Sequence, residues 1–175
     1  MRVVVIGTSC AGKSTFAKSL ASAKGIAHIE LDELHWGPNW MPVPPHEFLQ
    51  SVVNAAEAQS WIASGNYAHV RSVLWSRATT IVWLNYSFPV VLWRGIKRTI
   101  RRAITREILF HGNRESFRLS FLSKESILWW IITTFHHRRR EFETLRSSIE
   151  YRQIQWLEAK SPDVAQQLLG KLKAG

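Results

Sequence analysis

Nine residues near the amino terminus, Gly7–Thr15 (GTSCAGKST), combine glycines, a lysine and hydroxyls at a spacing that suits a polyphosphate. They match the phosphate-loop pattern Gly-x-x-x-x-Gly-Lys-Ser in full, from Gly7 to Ser14. Glycines let the backbone curl so that successive N–H groups point at phosphate oxygens, and the following helix adds its positive end. Lys13 can reach the β- and γ-phosphates, the Ser14 hydroxyl can bind Mg²⁺, and Thr15 can contact the α-phosphate.

The whole stretch is therefore predicted to bind ATP with Mg²⁺, through Gly7, Thr8, Ser9, Cys10, Ala11, Gly12, Lys13, Ser14 and Thr15. The alternative is a chance glycine-rich turn. The order of strand, loop and helix argues against it, because that is the context the motif requires. Cys10 has no base assigned to it, so we expect it to pack or face solvent rather than act as a nucleophile.

Asp32 and the tryptophans after it are candidate contacts for a second substrate. Asp32 follows a predicted strand, where it could accept a proton from an attacking hydroxyl or hold a metal-bound water; alternatively, it caps a turn. Trp36 and Trp40 could form an acceptor pocket or simply anchor an irregular loop to the core, and both interpretations stay open. His35 has no partner at metal-ligand spacing.

Gly65-Asn66-Tyr67 follows another predicted strand and faces the same edge of the sheet. The glycine allows a ligand to approach the backbone closely, and Asn66 or Tyr67 could donate hydrogen bonds to it. A tight turn with a packed tyrosine is the structural alternative. We predict that all three bind the acceptor.

Arginines dominate a basic stretch after residue 93: Arg94, Arg98, Arg101, Arg102, Arg106, Arg114 and Arg118. The first four recur every three or four residues, so several share one face of a helix. Guanidinium groups bind phosphate oxygens bidentately, which lysine cannot do. We predict catalytic roles for Arg98, Arg102 and Arg114, together with Lys13 and Asp32. A second basic cluster, 136–140 (HHRRR), is predicted to be a solvated surface or a nucleic-acid contact.

Strands and helices alternate along the chain, which predicts an α/β protein whose parallel sheet is covered on both faces. The predicted strands are 2–6, 27–31, 61–63, 79–84 and 153–157, and the predicted helices are 13–23, 45–56, a short one from 69, 89–107, 126–145 and 162–172. Ligands of such sheets lie beyond the carboxyl ends of the strands, where all the candidate residues converge. Residues 1–175 are predicted to form a single domain, with a lid or mobile segment over 108–125.

The amino-acid composition limits the classes of protein to which this chain can belong. The chain of 175 residues has 46% hydrophobic residues, nine tryptophans and a net charge of +10, of which residues 86–175 carry +9. Such a basic half needs an anionic partner, for which nucleotides, nucleic acid and a membrane surface all qualify. One cysteine excludes an internal disulfide framework, and no membrane span or secretory signal is apparent, so we expect a cytoplasmic protein.

Several motifs resemble a group of P-loop kinase-like proteins described as adenylate-kinase-related or DNA topology modulation proteins. The motifs are GTSCAGKST, LDELHWGPNW, SGNY, the arginine series with GNRES, SILWW and HHRRR, and they cover most of the chain. The resemblance implies the three-layer P-loop NTPase fold of nucleoside-monophosphate kinases, with a five-stranded sheet in the order 2-3-1-4-5 and a basic lid. Relatives often carry Asp where this chain has Ser64. If that Asp holds a metal-bound water, its replacement either impairs catalysis or passes this role to Asp32.

The predicted function is phosphoryl transfer from ATP to a small acceptor, either a nucleoside monophosphate or a hydroxylated metabolite. No guanine-specificity motif (Asn-Lys-x-Asp) is present, which argues against a GTPase. The alternatives are a nucleic-acid-associated ATP-binding protein and a polynucleotide end kinase, which would use the basic half to follow a phosphate backbone.

Overall fold

Five parallel strands form one sheet in the computed structural model, which describes residues 1–105, 107–113 and 126–175. The strands are β1 (Arg2–Gly7), β2 (Ala27–Glu30), β3 (Trp61–Ser64), β4 (Thr80–Leu84) and β5 (Gln155–Ala159). Their order across the sheet is β2-β3-β1-β4-β5, with Val3 paired to Ile62 on one side and to Thr80 on the other. The predicted fold class and strand order are confirmed.

Helices cover both faces of this sheet. They are α1 (Lys13–Lys24), α2 (Leu31–His35), α3 (Pro45–Ala55), α4 (Arg71–Trp75), α5 (Phe88–Thr105), α6 (Ile127–Ser147) and α7 (Pro162–Ala174). None of the helices within the described ranges is both long enough and apolar enough to cross a membrane.

Alternating residues of β1 build two separate cores. Val3 and Val5 pack with α1 and α7, whereas Val4 and Ile6 pack with α3, α4 and the end of α6. Because both faces are buried, the strand is apolar throughout, and each such side chain stabilises the fold by about 1.5–3 kcal/mol. This double burial holds the carboxyl end of β1 rigidly at the centre of the sheet.

Most element boundaries differ from the sequence prediction by one or two residues, and two of these differences change the description of the fold. Strand β2 ends at Glu30, and Asp32 lies in the first turn of α2 rather than at a strand end. Strand β5 begins at Gln155, two residues later than predicted, because a 3₁₀ turn at Ile149–Tyr151 precedes it. Tyr151 in that turn packs against Trp75, at 4.9 Å between ring centroids.

Candidate functional site

The loop between β1 and α1 has the backbone shape of a phosphate cradle. Gly7 and Gly12 have φ values of 149° and 98°, which favour glycine, and Ala11 N–H donates to the Thr8 carbonyl at 3.2 Å. A Cβ on Gly7 would lie 2.7 Å from the Leu84 carbonyl oxygen, so the loop starts in direct contact with β4. The amino end of α1 has no side-chain cap, so no side chain of the loop occupies its first N–H groups.

Lys13 lies folded over this loop. Its Nζ donates to the Thr8 carbonyl at 3.1 Å. Burial lowers the pKa of the Lys13 ammonium, and the negative charge of Asp32 opposes that shift. The Lys13 ammonium and the Asp32 carboxylate therefore lie close enough to interact electrostatically.

Asn66 fastens the start of the loop to the neighbouring strand. Its side chain donates to the Gly7 carbonyl and accepts from the Gly7 N–H, although the sequence analysis had assigned it to the acceptor. Gly65, at φ 141°, lets β3 approach Leu31, whose Cβ lies 2.6 Å from where a Cβ on Gly65 would be. Both residues hold strand ends in place in this structure.

Tyr67 orients Asp32. The Tyr67 hydroxyl donates to Asp32 Oδ1 at 2.8 Å. Burial, followed by the negative charge of Asp32, raises the pKa of Tyr67 well above its ordinary value, so the phenol stays protonated and keeps donating. One oxygen of Asp32 is held in this way, in the first turn of the short helix α2.

Glu30 is a buried acid of the site that the sequence analysis missed. Burial raises the pKa of the Glu30 carboxyl group above its ordinary value. Hydrogen bonds from the Ser14 and Ser64 hydroxyls oppose this shift without cancelling it. On its other side, Ser64 Oγ lies 2.9 Å from His28 Nε2. The available signal was the spacing of Glu30 and Asp32, two acids two residues apart beside a phosphate loop.

Four rings lie near the Asp32–Tyr67 pair and form one cluster with the Tyr67 ring. His35 lies 4.5 Å from Tyr67 and 4.7 Å from Trp36, and Trp36 lies 5.9 Å from Trp40, measured between ring centroids. Phe48 of α3 completes the group, 5.1 Å from Tyr67. Burial lowers the pKa of His35, which favours the neutral imidazole. We call His35, Trp36, Trp40, Phe48 and Tyr67 the aromatic cluster.

Asn113 holds the loop that carries the two tryptophans. The loop turns through Asn39 and Trp40, which both have left-handed φ values (57° and 56°). Asn113, only 4% exposed, accepts from Trp40 N–H at 3.1 Å and donates to the Gly37 carbonyl at 2.9 Å. Sequence separation of more than 70 residues hid this contact from the sequence analysis.

The arginines of α5 divide into two groups. Arg94 Nε donates to the Cys10 carbonyl at 3.2 Å, and Arg98 Nη1 lies 3.7 Å from Cys10 Sγ, so both lie against the phosphate loop. Arg101 and Arg102 form ion pairs with Glu107, at 3.1 and 3.6 Å. Of the predicted catalytic arginines, Arg98 is thus at the loop and Arg102 is placed beside Glu107. Arg106, Arg114 and Arg118 lie outside the described residues.

The second basic cluster lies on α6. Arg138 pairs with Glu141 at 2.9 Å and Arg139 pairs with Glu143 at 3.4 Å, while His136 stacks on Phe88. These ion pairs neutralise part of the cluster, as expected of a solvated helix face.

The residues present fit a magnesium nucleotide. An uncapped helix end, a lysine over the loop and a Ser14 hydroxyl in contact with a buried carboxylate are the groups that a metal-bound triphosphate requires. Across the described ranges, no group of three or more His, Cys, Asp or Glu side chains could hold a metal by itself.

Comparisons with known proteins agree with this geometry at the level of fold. No protein-family model matches the chain, and neither does any curated protein. Among solved structures, the chain is similar to a shikimate kinase from Aquifex aeolicus vf5 (19% identity, TM-score 0.55, covering 99% of this chain and 97% of that one). It is also similar to a gluconokinase from Sinorhizobium meliloti 1021 (19%, 0.55, 99% and 91%) and a sugar kinase from Janibacter sp. HTCC2649 (18%, 0.51, 97% and 90%).

These similarities define the class of fold. The chain has the α/β fold of the P-loop kinases, with its phosphate loop at the centre of the sheet. The resemblance to adenylate-kinase-related proteins is thereby supported only as far as the P-loop kinase fold.

Proposed function

We propose that this protein is an ATP-dependent kinase that phosphorylates the hydroxyl or phosphate group of a small acceptor. The observation that carries the proposal is the Asp32 carboxylate, hydrogen-bonded to Tyr67 and electrostatically coupled to Lys13 of the phosphate loop. The proposed donor site and this acidic group therefore lie together at the carboxyl edge of the sheet, where ligands of such folds bind.

For an alcohol acceptor, the proposed step is an in-line displacement. The acceptor oxygen forms a bond to the γ-phosphorus of ATP, the bond from that phosphorus to the β–γ bridging oxygen breaks, and ADP leaves. Asp32 takes the hydroxyl proton, with Tyr67 holding its other oxygen in place. Lys13 and Arg98 offset the negative charge on the phosphates during transfer.

Ser14 and Glu30 are the residues proposed to hold magnesium. The Ser14 hydroxyl would be a direct ligand, and Glu30 would bind through water, taking the place of the acid that relatives carry at position 64. When bound, the ion neutralises phosphate charge and orients the donor. Ser64 is uncharged, but its hydroxyl hydrogen-bonds to the Glu30 carboxyl group. The site therefore still contains an acidic side chain, which is that of Glu30.

The names of the similar structures support a hydroxylated small molecule as the acceptor. The names of the similar structures give shikimate, gluconate and sugars as their substrates, which are hydroxylated small molecules. The nucleoside monophosphate suggested by the sequence resemblance is the other candidate. The two differ in whether the acceptor carries a phosphate.

The test is a transfer assay with γ-labelled ATP against a library of alcohols, sugars and nucleoside monophosphates. We expect label transfer to at least one acceptor, loss of transfer in Lys13→Ala, and a strong loss of kcat in Asp32→Asn with ATP affinity retained. Saturable ATP binding without transfer to any member of the library would overturn the proposal. So would a Lys13→Ala variant that behaves like the native protein.

A further inference from the structure

The lobe that supplies the acceptor side of the cleft contains no basic residue other than histidine. Residues 25–70, which we call the acceptor lobe, include β2, α2, the tryptophan loop, α3 and β3. They contain five acidic residues and no lysine or arginine, although the whole chain has 23. The acceptor lobe therefore carries a formal charge of −5, and the rest of the chain carries +15.

This distribution is unfavourable for an anionic acceptor. A phosphate or carboxylate that leaves water needs a guanidinium, an ammonium or a helix amino end to compensate for its lost hydration. The helices that begin in the acceptor lobe, α2 and α3, already carry acids in their first turns: Asp32, Glu33 and Glu47. An anion bound beside Asp32 would be repelled rather than neutralised.

Among the described residues, Arg71, Lys13 and Arg98 are engaged elsewhere. Arg71, the first basic residue after the lobe, pairs with Glu141 of α6 and lies 5.3 Å above the Trp75 ring. Lys13 and Arg98 lie at the phosphate loop, where they would bind the triphosphate of the donor. Burial lowers the pKa of His35, so the imidazole in the aromatic cluster adds no positive charge at neutral pH.

The acceptor lobe offers aromatic rings and a carboxylate instead. Trp36 and Trp40 are partly exposed, with their rings edge-to-face at 5.9 Å, next to the hydrogen-bonded Asp32–Tyr67 pair. Ring faces bind the apolar faces of sugars and other cyclic alcohols, and they attract ammonium groups through the cation–π interaction. A carboxylate beside them accepts hydrogen bonds from hydroxyl and ammonium groups alike.

We propose that the acceptor is an alcohol without a phosphate or carboxylate, uncharged or carrying an ammonium group, bound by Trp36, Trp40 and Asp32. This inference rests on the proposed kinase function and selects the hydroxylated acceptor over the nucleoside monophosphate. The transfer step stays as written above, with the acceptor hydroxyl as nucleophile and Asp32 as the proton acceptor.

The test compares matched ligands that differ in one group: glucose, glucosamine and glucuronate, and adenosine with adenosine monophosphate. It is extended to a library of alcohols graded by charge. Binding is measured by tryptophan fluorescence and calorimetry with a non-hydrolysable ATP analogue and Mg²⁺ present, so that the result does not depend on turnover. We expect the tightest ligands to lack an anionic group and to bind at least about tenfold more tightly than their phosphate or carboxylate counterparts.

Two variants test the named residues. Trp36→Ala is expected to weaken binding of the selected ligands about tenfold, whereas Trp93→Ala, an exposed tryptophan on α5, is the matched control and leaves it unchanged. Asp32→Asn is expected to weaken ammonium-bearing ligands about tenfold relative to uncharged ones, because only the former lose a charge interaction.

Each outcome bears on one claim. Tightest binding by an anionic alcohol, or no binding that depends on Trp36, overturns the acceptor class. Selective binding of uncharged or ammonium-bearing alcohols without transfer of label overturns the kinase function and leaves the acceptor class supported. Transfer of label to anionic acceptors only would overturn the acceptor class and leave the kinase function supported.

Discussion

At the scale of single residues, the phosphate loop depends on contacts made by distant parts of the chain. Asn66 holds both backbone groups of Gly7, and Arg94 donates to the carbonyl of Cys10. Arg94 also lies 2.8 Å from where a Cβ on Gly12 would be, so its guanidinium packs directly on the loop. The loop is thus shaped by its neighbours as much as by its own glycines.

Replacing Arg94 with alanine should weaken ATP binding about tenfold, because a charged hydrogen bond that supports the loop is lost. Isothermal calorimetry measures this directly. Arg101→Ala is the matched control: that side chain is 66% exposed and pairs with Glu107, and its loss should leave ATP affinity unchanged. Equal effects of the two substitutions would show that the contact with Cys10 has no influence on the nucleotide.

Gly7→Ala should lower the free energy of unfolding by about 3 kcal/mol and abolish ATP binding, because the new Cβ would meet the Leu84 carbonyl at a left-handed φ. Gly25→Ala shares the left-handed φ but has nothing within 4 Å, so it should cost only about 1 kcal/mol and leave ATP binding intact. Urea denaturation and calorimetry provide the two readouts. A Gly7 variant as stable as the Gly25 variant would contradict the close approach of β4.

At the scale of elements, α4 and α6 are joined by an ion pair with little solvent access. The side chains of Arg71 and Glu141 are 15% and 21% exposed, and Arg138 adds a second donor at 2.9 Å. Burial raises the pKa of Glu141, but the hydrogen bonds from the two arginines outweigh this, so the net pKa lies below the ordinary value. This pair fastens the long helix α6 to the segment that follows Tyr67.

Glu141→Gln should destabilise the protein by about 2 kcal/mol at pH 7, because Arg71 loses its charged acceptor. A carboxyl group whose pKa is lower in the folded state than in the unfolded state stabilises the protein at pH values above the unfolded-state pKa. This stabilisation is lost as the pH falls through the folded-state pKa. The difference between native and variant unfolding free energies should therefore shrink below about pH 4.

Glu143→Gln is the control for this pair, since Glu143 and Arg139 are about half exposed. Exposed pairs contribute little, so this change should stay within about 0.5 kcal/mol at every pH. Chemical denaturation between pH 3 and 8 distinguishes the two variants. A Glu141→Gln effect that does not change with pH would contradict the ionic origin.

At the scale of the whole molecule, charge is separated along the sequence and in space. The acceptor lobe is negative, and the positive charge of the chain includes α5 and its arginines at the phosphate loop. This arrangement favours an anionic donor and a non-anionic acceptor. The nucleic-acid alternative instead predicts an affinity for oligonucleotides that falls steeply as the salt concentration rises.

On the proposed function, Mg·ATP binds only the folded loop and should therefore stabilise the entire fold. At a concentration about 100 times its dissociation constant, the gain is about 2.7 kcal/mol, or roughly 5–10 °C in Tm for a chain of this size. Differential scanning fluorimetry should show this shift for the native protein and none for Lys13→Ala. An equal shift in both proteins would place the nucleotide somewhere other than the loop.

The sequence alone determined the fold class, the phosphate loop and most element positions. These follow from local information: apolar runs of strand length, helical periodicity and one motif whose spacing fits a triphosphate. The boundary errors were small, and the displacement of Asp32 into α2 arose because β2 and the short helix meet without a turn residue between them.

Only the tertiary structure decided which side chains meet. Asn66 turned out to hold Gly7, Arg94 to lie on the phosphate loop, Asn113 to hold the tryptophan loop, and Glu30 to contact Ser14. Each pair joins different elements of the fold, and a local pattern carries no information about partners so far apart in the chain. The absence of cations from residues 25–70 was visible in the sequence, but it gained meaning once the fold placed Asp32 and the aromatic cluster together there.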